Sequence, residues 1–61
     1  MKRYVKEFAI DCMREITING LMLDHIKRDM TNKIADILHA YKRNLISNVE
    51  AVKAIADVMG A

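Results

Sequence analysis

The chain has 61 residues, no proline and two glycines, and its ten Lys and Arg residues exceed its eight Asp and Glu residues by only two. This length allows one small domain, the composition favours an all-α fold, and so weak a net charge does not by itself indicate nucleic-acid binding. No apolar run approaches the roughly 20 residues of a membrane-spanning helix. Lys6, Glu7 and Asp11 interrupt the apolar core that a signal peptide would need. The single cysteine excludes an internal disulfide framework and is typical of a reducing compartment, so we expect a cytoplasmic protein with no membrane partner.

The small size of the chain bears on how it is stabilised. A domain of this length buries only about 60% of its unfolded surface, and it is marginally stable without disulfides, a metal ion or a partner. Apolar residues make up 52% of the chain, and the five methionines among them are adaptable at binding surfaces. We therefore predict that the small core is completed by self-association.

The first predicted helix extends over residues 2–17. Its apolar residues cover close to half of the helical circumference, a wider face than contact with one neighbouring helix requires. We therefore expect this helix to have two neighbours. Arg3 and Glu7 have the spacing of an i,i+4 ion pair on its polar side. The predicted apolar face consists of Met1, Tyr4, Val5, Phe8, Ala9, Cys12, Met13 and Ile16.

The segment 17–20, Thr-Ile-Asn-Gly, contains the first turn signal. An Asn-Gly pair tolerates the left-handed backbone conformation that often ends a helix. A β-hairpin would need alternating strands on both sides of the pair, and none are present. We predict that the chain reverses here and that the first two helices pack antiparallel.

The central helix, predicted over residues 21–43, has the clearest apolar period in the sequence. Its large apolar residues follow one another in steps of three, four, four, three, four and four, which places them all on one side of a helix. The resulting repeat of about 3.67 residues per turn indicates straight or slightly right-handed packing rather than a left-handed coiled coil. These residues are Leu23, Ile26, Met30, Ile34, Ile37, Tyr41 and Leu45.

Two features interrupt the regularity of the central helix. Lys27 falls on the apolar face, so it either covers apolar neighbours with its methylene groups at an end of the bundle or meets an acidic partner. The segment 29–32, Asp-Met-Thr-Asn, contains good N-cap residues and could divide the helix. The apolar period nevertheless passes through this segment without a change of phase.

The end of the central helix is marked by its own residues. Lys42 and Arg43 suit the negative end of the helix dipole. Asn44 fits the C′ position of a Schellman turn, and Leu45 would supply the apolar C″ contact of that motif.

A capping box follows, with Ser47 as the N-cap, Glu50 at N3 and Ile46 as the apolar staple. It predicts a third helix over residues 48–59. The alternative is a helical hairpin in which the central helix continues through Ser47, which the apolar spacing on both sides of that residue permits. The predicted inward side of the third helix contains Val49, Val52, Ile55, Ala56 and Met59, and the small residues that would let another helix approach it are Ala51, Ala54 and Ala56.

The sequence contains no recognisable reaction centre. The only histidines, His25 and His39, lie about 21 Å apart along the central helix and cannot share one metal ion within a subunit. Cys12 falls on an apolar face away from any base, which indicates a buried structural cysteine or one at a subunit contact. The carboxylates lack the Glu-x-x-His pairing of di-metal bundles, and there is no glycine-rich phosphate loop. We predict no enzymatic activity, no cofactor and no metal site.

The expected function is therefore binding. We predict an all-α protein, either a three-helix bundle or a helical hairpin with a short third helix, that forms a homo-oligomer, most simply a dimer. It would bind a macromolecular partner, such as another protein, through its helical surfaces. Its small size and simple organisation are typical of bacterial or phage regulatory proteins. The predicted core or interface residues are Tyr4, Phe8, Cys12, Ile16, Leu23, Ile26, Met30, Ile34, Ile37 and Tyr41.

Nucleic-acid binding is the alternative function. The basic residues are spread around the polar sides of the first two helices and are interrupted by Asp24, Asp29 and Asp36, whereas a phosphate-binding surface would cluster them. A dimer could still assemble a basic groove that one chain does not have. The candidate nucleic-acid contacts are Lys2, Arg3, Lys6, Lys27, Arg28, Lys42 and Arg43.

Overall fold

A computed structural model describes residues 3–60, and over this range the chain forms three α-helices and no strand. The predicted all-α class is confirmed. Each helix contacts the other two, and the body measures 34 × 17 × 16 Å. The expectations that fall on Met1 and Lys2 lie outside the described residues. The helices are α1 (Arg3–Ile18), α2 (Asp24–Lys42) and α3 (Asn48–Gly60).

The contacts between helices give the direction of each. Val5, near the start of α1, shares a buried cluster with Tyr41, near the end of α2. Thr17, at the end of α1, is hydrogen-bonded by Lys27, near the start of α2, so α1 and α2 run antiparallel. Ala51 of α3 belongs to the same cluster as Val5 and Tyr41. One end of the body therefore contains the α1–α2 turn, and the opposite end contains the start of α1 and the α2–α3 turn.

The core accounts for the width of the apolar face of α1. Ile34 of α2 and Ile55 of α3 are fully buried in one cluster with residues of α1, so α1 is covered from two sides. Both of the neighbours that its sequence predicts are thus helices of the same chain. The buried residues are Val5, Ala9, Cys12, Ile16, Ile34, Tyr41, Ala51 and Ile55.

α2 begins at Asp24, three residues after its predicted start at position 21. The side-chain oxygen Oδ1 of Asn19 accepts a hydrogen bond of 2.9 Å from the backbone N–H of Leu21, which holds the chain in a turn. Leu23 is the N-cap and has an extended backbone, with φ −67° and ψ 146°. The prediction of a left-handed Asn-Gly pair is wrong, because neither Asn19 nor Gly20 has a positive φ. The Asn19 side chain forms this turn instead.

Gly20 provides a test of this turn. We expect Gly20→Ala to stabilise the protein by about 0.4–1 kcal/mol, because alanine reduces the conformational freedom of the unfolded chain. The folded chain accepts the change, since a Cβ atom on Gly20 would meet no heavy atom within 4 Å and φ is negative. Urea denaturation measures the difference in the free energy of unfolding. A destabilised variant would mean that Gly20 needs the left-handed conformation after all.

α2 is unbroken from Asp24 to Lys42, so the division considered at 29–32 does not occur. The helix ends in the predicted Schellman turn. The N–H of Leu45 donates to the carbonyl of Ala40 at 3.0 Å, and the N–H of Asn44 donates to that of Tyr41 at 3.0 Å. Asn44 has φ 60°, the only positive φ among residues 3–60. The side chain of Leu45 is 68% exposed, so the apolar contact expected of it buries little of this residue.

The predicted capping box is also confirmed. The N–H of Glu50 donates to Ser47 Oγ at 3.1 Å, and the N–H of Ser47 donates to Glu50 Oε1 at 2.9 Å. Ile46 packs against the cluster that contains Ala51, the N4 residue of α3, as a staple should. α3 is therefore a separate helix, and the hairpin with one continuous second helix is excluded.

α3 is rotated from its predicted orientation. Val49 and Ala56, which the sequence places inward, are exposed, whereas Ala51 is fully buried. The side chain of Ala51 is only a methyl group, so α3 can approach the other helices closely at this residue. The hydroxyl of Tyr41 donates to Asn48 Oδ1 at 2.6 Å, which ties the first turn of α3 to α2. These two contacts set the rotation.

Candidate interaction surface

The ten predicted core or interface residues fall into three groups by their burial in one chain. Four are buried, three are half-buried and three are exposed. The exposed three do not lie in the core of a single chain, and their role at an interface stays a prediction. The buried group is Cys12, Ile16, Ile34 and Tyr41, the half-buried group is Phe8, Met30 and Ile37, and the exposed group is Tyr4, Leu23 and Ile26.

Four large apolar side chains are exposed within nine residues at the α1–α2 turn, and we call these four residues the tip: Ile18, Leu21, Leu23 and Ile26. The exposed fractions of Leu21 and Ile18 reach 99% and 76%. Single exposed apolar residues are ordinary on protein surfaces, whereas several large ones gathered at one end of a small body are a candidate site of interaction. The tip is therefore the leading candidate surface.

The backbone of the turn holds the tip outward. Met22 is half-buried and packs against the cluster that contains Ile34 and Ile55, so it anchors the turn between Leu21 and Leu23. The hydrogen bond from the Leu21 N–H to Asn19 Oδ1 fixes the preceding residues. The carbonyl of Leu23 accepts hydrogen bonds from the N–H groups of the first turn of α2 at 3.1 and 3.0 Å. Leu21 and Leu23 are thus presented on an ordered backbone.

Lys27 lies at this end of the body and binds α1. Its ammonium donates to the carbonyl of Thr17 at 3.3 Å, in the last turn of α1. α1 has no basic residue in that turn, so Lys27 supplies the positive charge that a helix C-terminus favours. The Thr17 hydroxyl donates to the carbonyl of Met13 at 2.9 Å. The sequence allowed Lys27 either to lie over apolar neighbours at an end of the bundle or to meet an acidic partner. Its position at the end of the body agrees with the first interpretation, and the group that its ammonium contacts is a backbone carbonyl of the same chain.

The antiparallel packing gathers basic residues at the opposite end of the body. Arg3 pairs with Glu7 at 3.4 Å on the exposed surface of α1. Of the other predicted nucleic-acid contacts, Lys27 and Arg28 lie near the tip, and Lys2 is outside the described residues. The exposed residues that we call the basic end are Arg3, Lys6, Lys42 and Arg43.

The side chains with potential for catalysis are the two histidines and Cys12. His25 and His39 are exposed on α2, and no group of three or more His, Cys, Asp and Glu residues within 3–60 could hold a metal ion. Cys12 is buried, and this burial, followed by the charges of Glu15 and Asp11, raises the pKa of its thiol. The thiol is therefore protonated at neutral pH and poorly nucleophilic.

The burial of Cys12 has a measurable consequence. We expect the folded protein to react slowly with a thiol reagent such as dithionitrobenzoate at pH 7, because the thiol is shielded and protonated. Urea should accelerate the reaction as it unfolds the chain, and Cys12 is the only thiol that contributes. A fast reaction with the folded protein would show that Cys12 is accessible.

No helix within residues 3–60 is long and apolar enough to cross a membrane. Comparison of the chain with protein-family models, with curated proteins and with solved structures gives no match.

Proposed function

We propose that the protein is a non-enzymatic helical interaction protein that forms a homo-oligomer and binds a macromolecular partner. The observation that carries the proposal is the tip. Moving one Leu or Ile side chain out of water contributes about 1.5–3 kcal/mol. A partner that covers the tip therefore gains a large hydrophobic contribution to binding.

The proposal relies on the tip rather than on the width of the apolar face of α1. The middle of that face is buried against α2 and α3 within one chain, so its width alone does not require a second chain. A second, more dispersed group of exposed apolar residues lies at the opposite end, where Tyr4, Leu45 and Val49 are exposed. Two separate apolar regions suit a protein that contacts both its own copy and another macromolecule.

Self-association is tested by thermal unfolding over a range of protein concentrations. The melting temperature should rise with concentration, because mass action favours the folded oligomer over unfolded chains. Sedimentation equilibrium provides the mass directly. A constant melting temperature together with the monomer mass of 7.0 kDa at every concentration would overturn this part of the proposal.

Partner binding is tested by co-purification from the cells that make the protein. We expect one protein to be recovered with the wild-type chain in a fixed ratio. It should be lost when an exposed apolar residue of the region that it covers, Leu21 in the tip or Tyr4 at the opposite end, is replaced by a charged residue. A matched variant at an exposed polar position, Lys33→Glu, should retain it. Recovery of the same proteins by all variants would indicate nonspecific capture and contradict the proposal.

Nucleic-acid binding is the second candidate, and the basic end favours it. Antiparallel packing brings residues of α1 and α2 that are distant in the sequence to the same end of the body. Binding to DNA or RNA through phosphates should weaken as salt increases, and the double variant Lys42→Gln/Arg43→Gln should bind more weakly. The variant Lys33→Gln/Lys53→Gln removes the same charge elsewhere and serves as the control. No binding at low salt would eliminate this candidate.

The proposal includes a cytoplasmic location. It is supported by Cys12, a buried free thiol of the kind that persists in a reducing compartment. Cell fractionation with a tagged chain would test it, and recovery outside the cytoplasm would contradict it.

A further inference from the structure

We infer that the tip binds the tip of a second copy of this chain, so that a dimer forms end to end about a twofold axis. This inference rests on the proposed self-association and names the surface that carries it. Two regions of the body expose apolar residues, and their charges decide which of them suits a second copy.

The basic end is unsuited to contact with itself. Its four basic residues exceed the two acidic residues nearby, Glu7 and Glu50, and Glu7 is already paired with Arg3. Two copies that met there would bring like charges together, which opposes association. The apolar residues at that end therefore fit a partner of different charge better than a second copy.

The surroundings of the tip suit a second copy. The charged residues near the tip carry both signs, with Glu15, Asp24 and Asp29 acidic and Lys27 and Arg28 basic. The only ion pairs among residues 3–60 are Arg3–Glu7 and Asp11–Arg14, which leaves Asp24, Arg28 and Asp29 free to pair across an interface. A twofold contact places the same patch on both sides, so a patch with both signs of charge can complement itself.

The tip also has the organisation of an interface. Its apolar residues are flanked in the sequence by charged ones, and its backbone is ordered by Met22 and the Asn19 turn, which reduces the entropy lost on binding. The body is 17 × 16 Å in cross-section, so the surface area at its end is small. It is less than the roughly 800 Å² that each partner buries in a typical stable interface. The dimer should therefore be weak and concentration-dependent.

The test compares two leucines in sedimentation experiments that extend to about 1 mM, the range in which weak contacts are populated. Leu21 and Leu45 are both exposed, at 99% and 68%, but they lie at opposite ends of the body. We expect Leu21→Glu to weaken dimerisation at least about tenfold and Leu45→Glu to leave it unchanged. Leu23→Glu is an independent second variant of the tip and should behave like Leu21→Glu. Circular dichroism of each variant confirms that it is folded.

The results of these experiments distinguish a failure of the tip-to-tip contact from a failure of self-association. If the wild-type protein dimerises and only Leu45→Glu weakens the dimer, the tip is not the interface but self-association stands. If the wild-type protein is monomeric at every concentration, both are overturned. Small-angle X-ray scattering adds a second readout, because a tip-to-tip dimer should approach twice the 34 Å length of one chain. A dimer of nearly monomer length would mean side-by-side packing and overturn the inference.

Discussion

Ile34→Ala is expected to remove about 2–5 kcal/mol from the free energy of unfolding, the usual cost of deleting a large buried aliphatic side chain. Ile34 has 0% exposure and shares a cluster with Cys12 and Ile16 of α1 and with Ile55 of α3. The truncation therefore leaves a cavity where all three helices meet. A domain of this size has a total stability of about 3–9 kcal/mol, so the variant should lose a large part of it.

Urea denaturation followed by circular dichroism measures this loss. The matched control is Ile18→Ala, the same chemical change at an exposed residue of α1. It should alter the stability of the monomer by less than about 0.5 kcal/mol. Equal costs for the two variants would contradict the placement of Ile34 in the core.

Ser47→Ala is expected to cost about 0.5–2 kcal/mol, because it removes the oxygen that accepts the N–H of Glu50 at the start of α3. The sign of the change is informative. If α2 and α3 were one continuous helix, Ser47 would be an interior residue and alanine would stabilise it by a few tenths of a kcal/mol. Denaturation curves of the two proteins measure the difference, and Ser47→Asp should be nearly neutral because aspartate caps helices equally well.

The same capping box should respond to pH. The backbone N–H of Ser47, and then a hydrogen bond with its side chain, hold the pKa of the Glu50 carboxyl below its ordinary value. A carboxyl whose pKa is lower in the folded state stabilises the protein above its unfolded pKa, and this contribution is lost as the pH falls through the folded pKa. Glu50→Gln should therefore be less stable than the wild type at neutral pH, and the difference should shrink in acid. A difference that does not change with pH would contradict a role for the carboxylate.

The parts of the fold with local chemical signals were predictable from the sequence. Asn44 provides the left-handed residue of the Schellman turn, and Ser47 and Glu50 bond to each other's backbone, so neighbouring residues alone determine both helix ends. The start of α2 has no such signal. Leu21 and Leu23 continue the apolar pattern of the helix, but the Asn19 side chain holds them in the turn.

The burial of individual residues depended on packing that a helical period does not contain. In α3 apolar residues occupy most of the circumference, so the contacts of Ala51 and the Tyr41–Asn48 hydrogen bond determine which of them face inward. In α2 the period correctly gives the side that contains Ile34 and Tyr41. The apolar period does not show how far the neighbouring helices extend along α2. Leu23 lies on the same apolar side as Ile34 and Tyr41 but is exposed, because it precedes the start of the helix. Leu23 and Ile26 of the tip follow the same apolar period as the core residues of α2. The sequence alone therefore could not distinguish these exposed residues from buried ones.

The two connections between helices, residues 19–23 and 43–47, are five residues each. Consecutive helices pack directly on one another, so little chain entropy is lost in closing either connection. Proteins whose contacts are mostly local reach the native state within microseconds to milliseconds. A slower refolding phase whose rate depends on protein concentration would therefore report the meeting of two chains, not the folding of one.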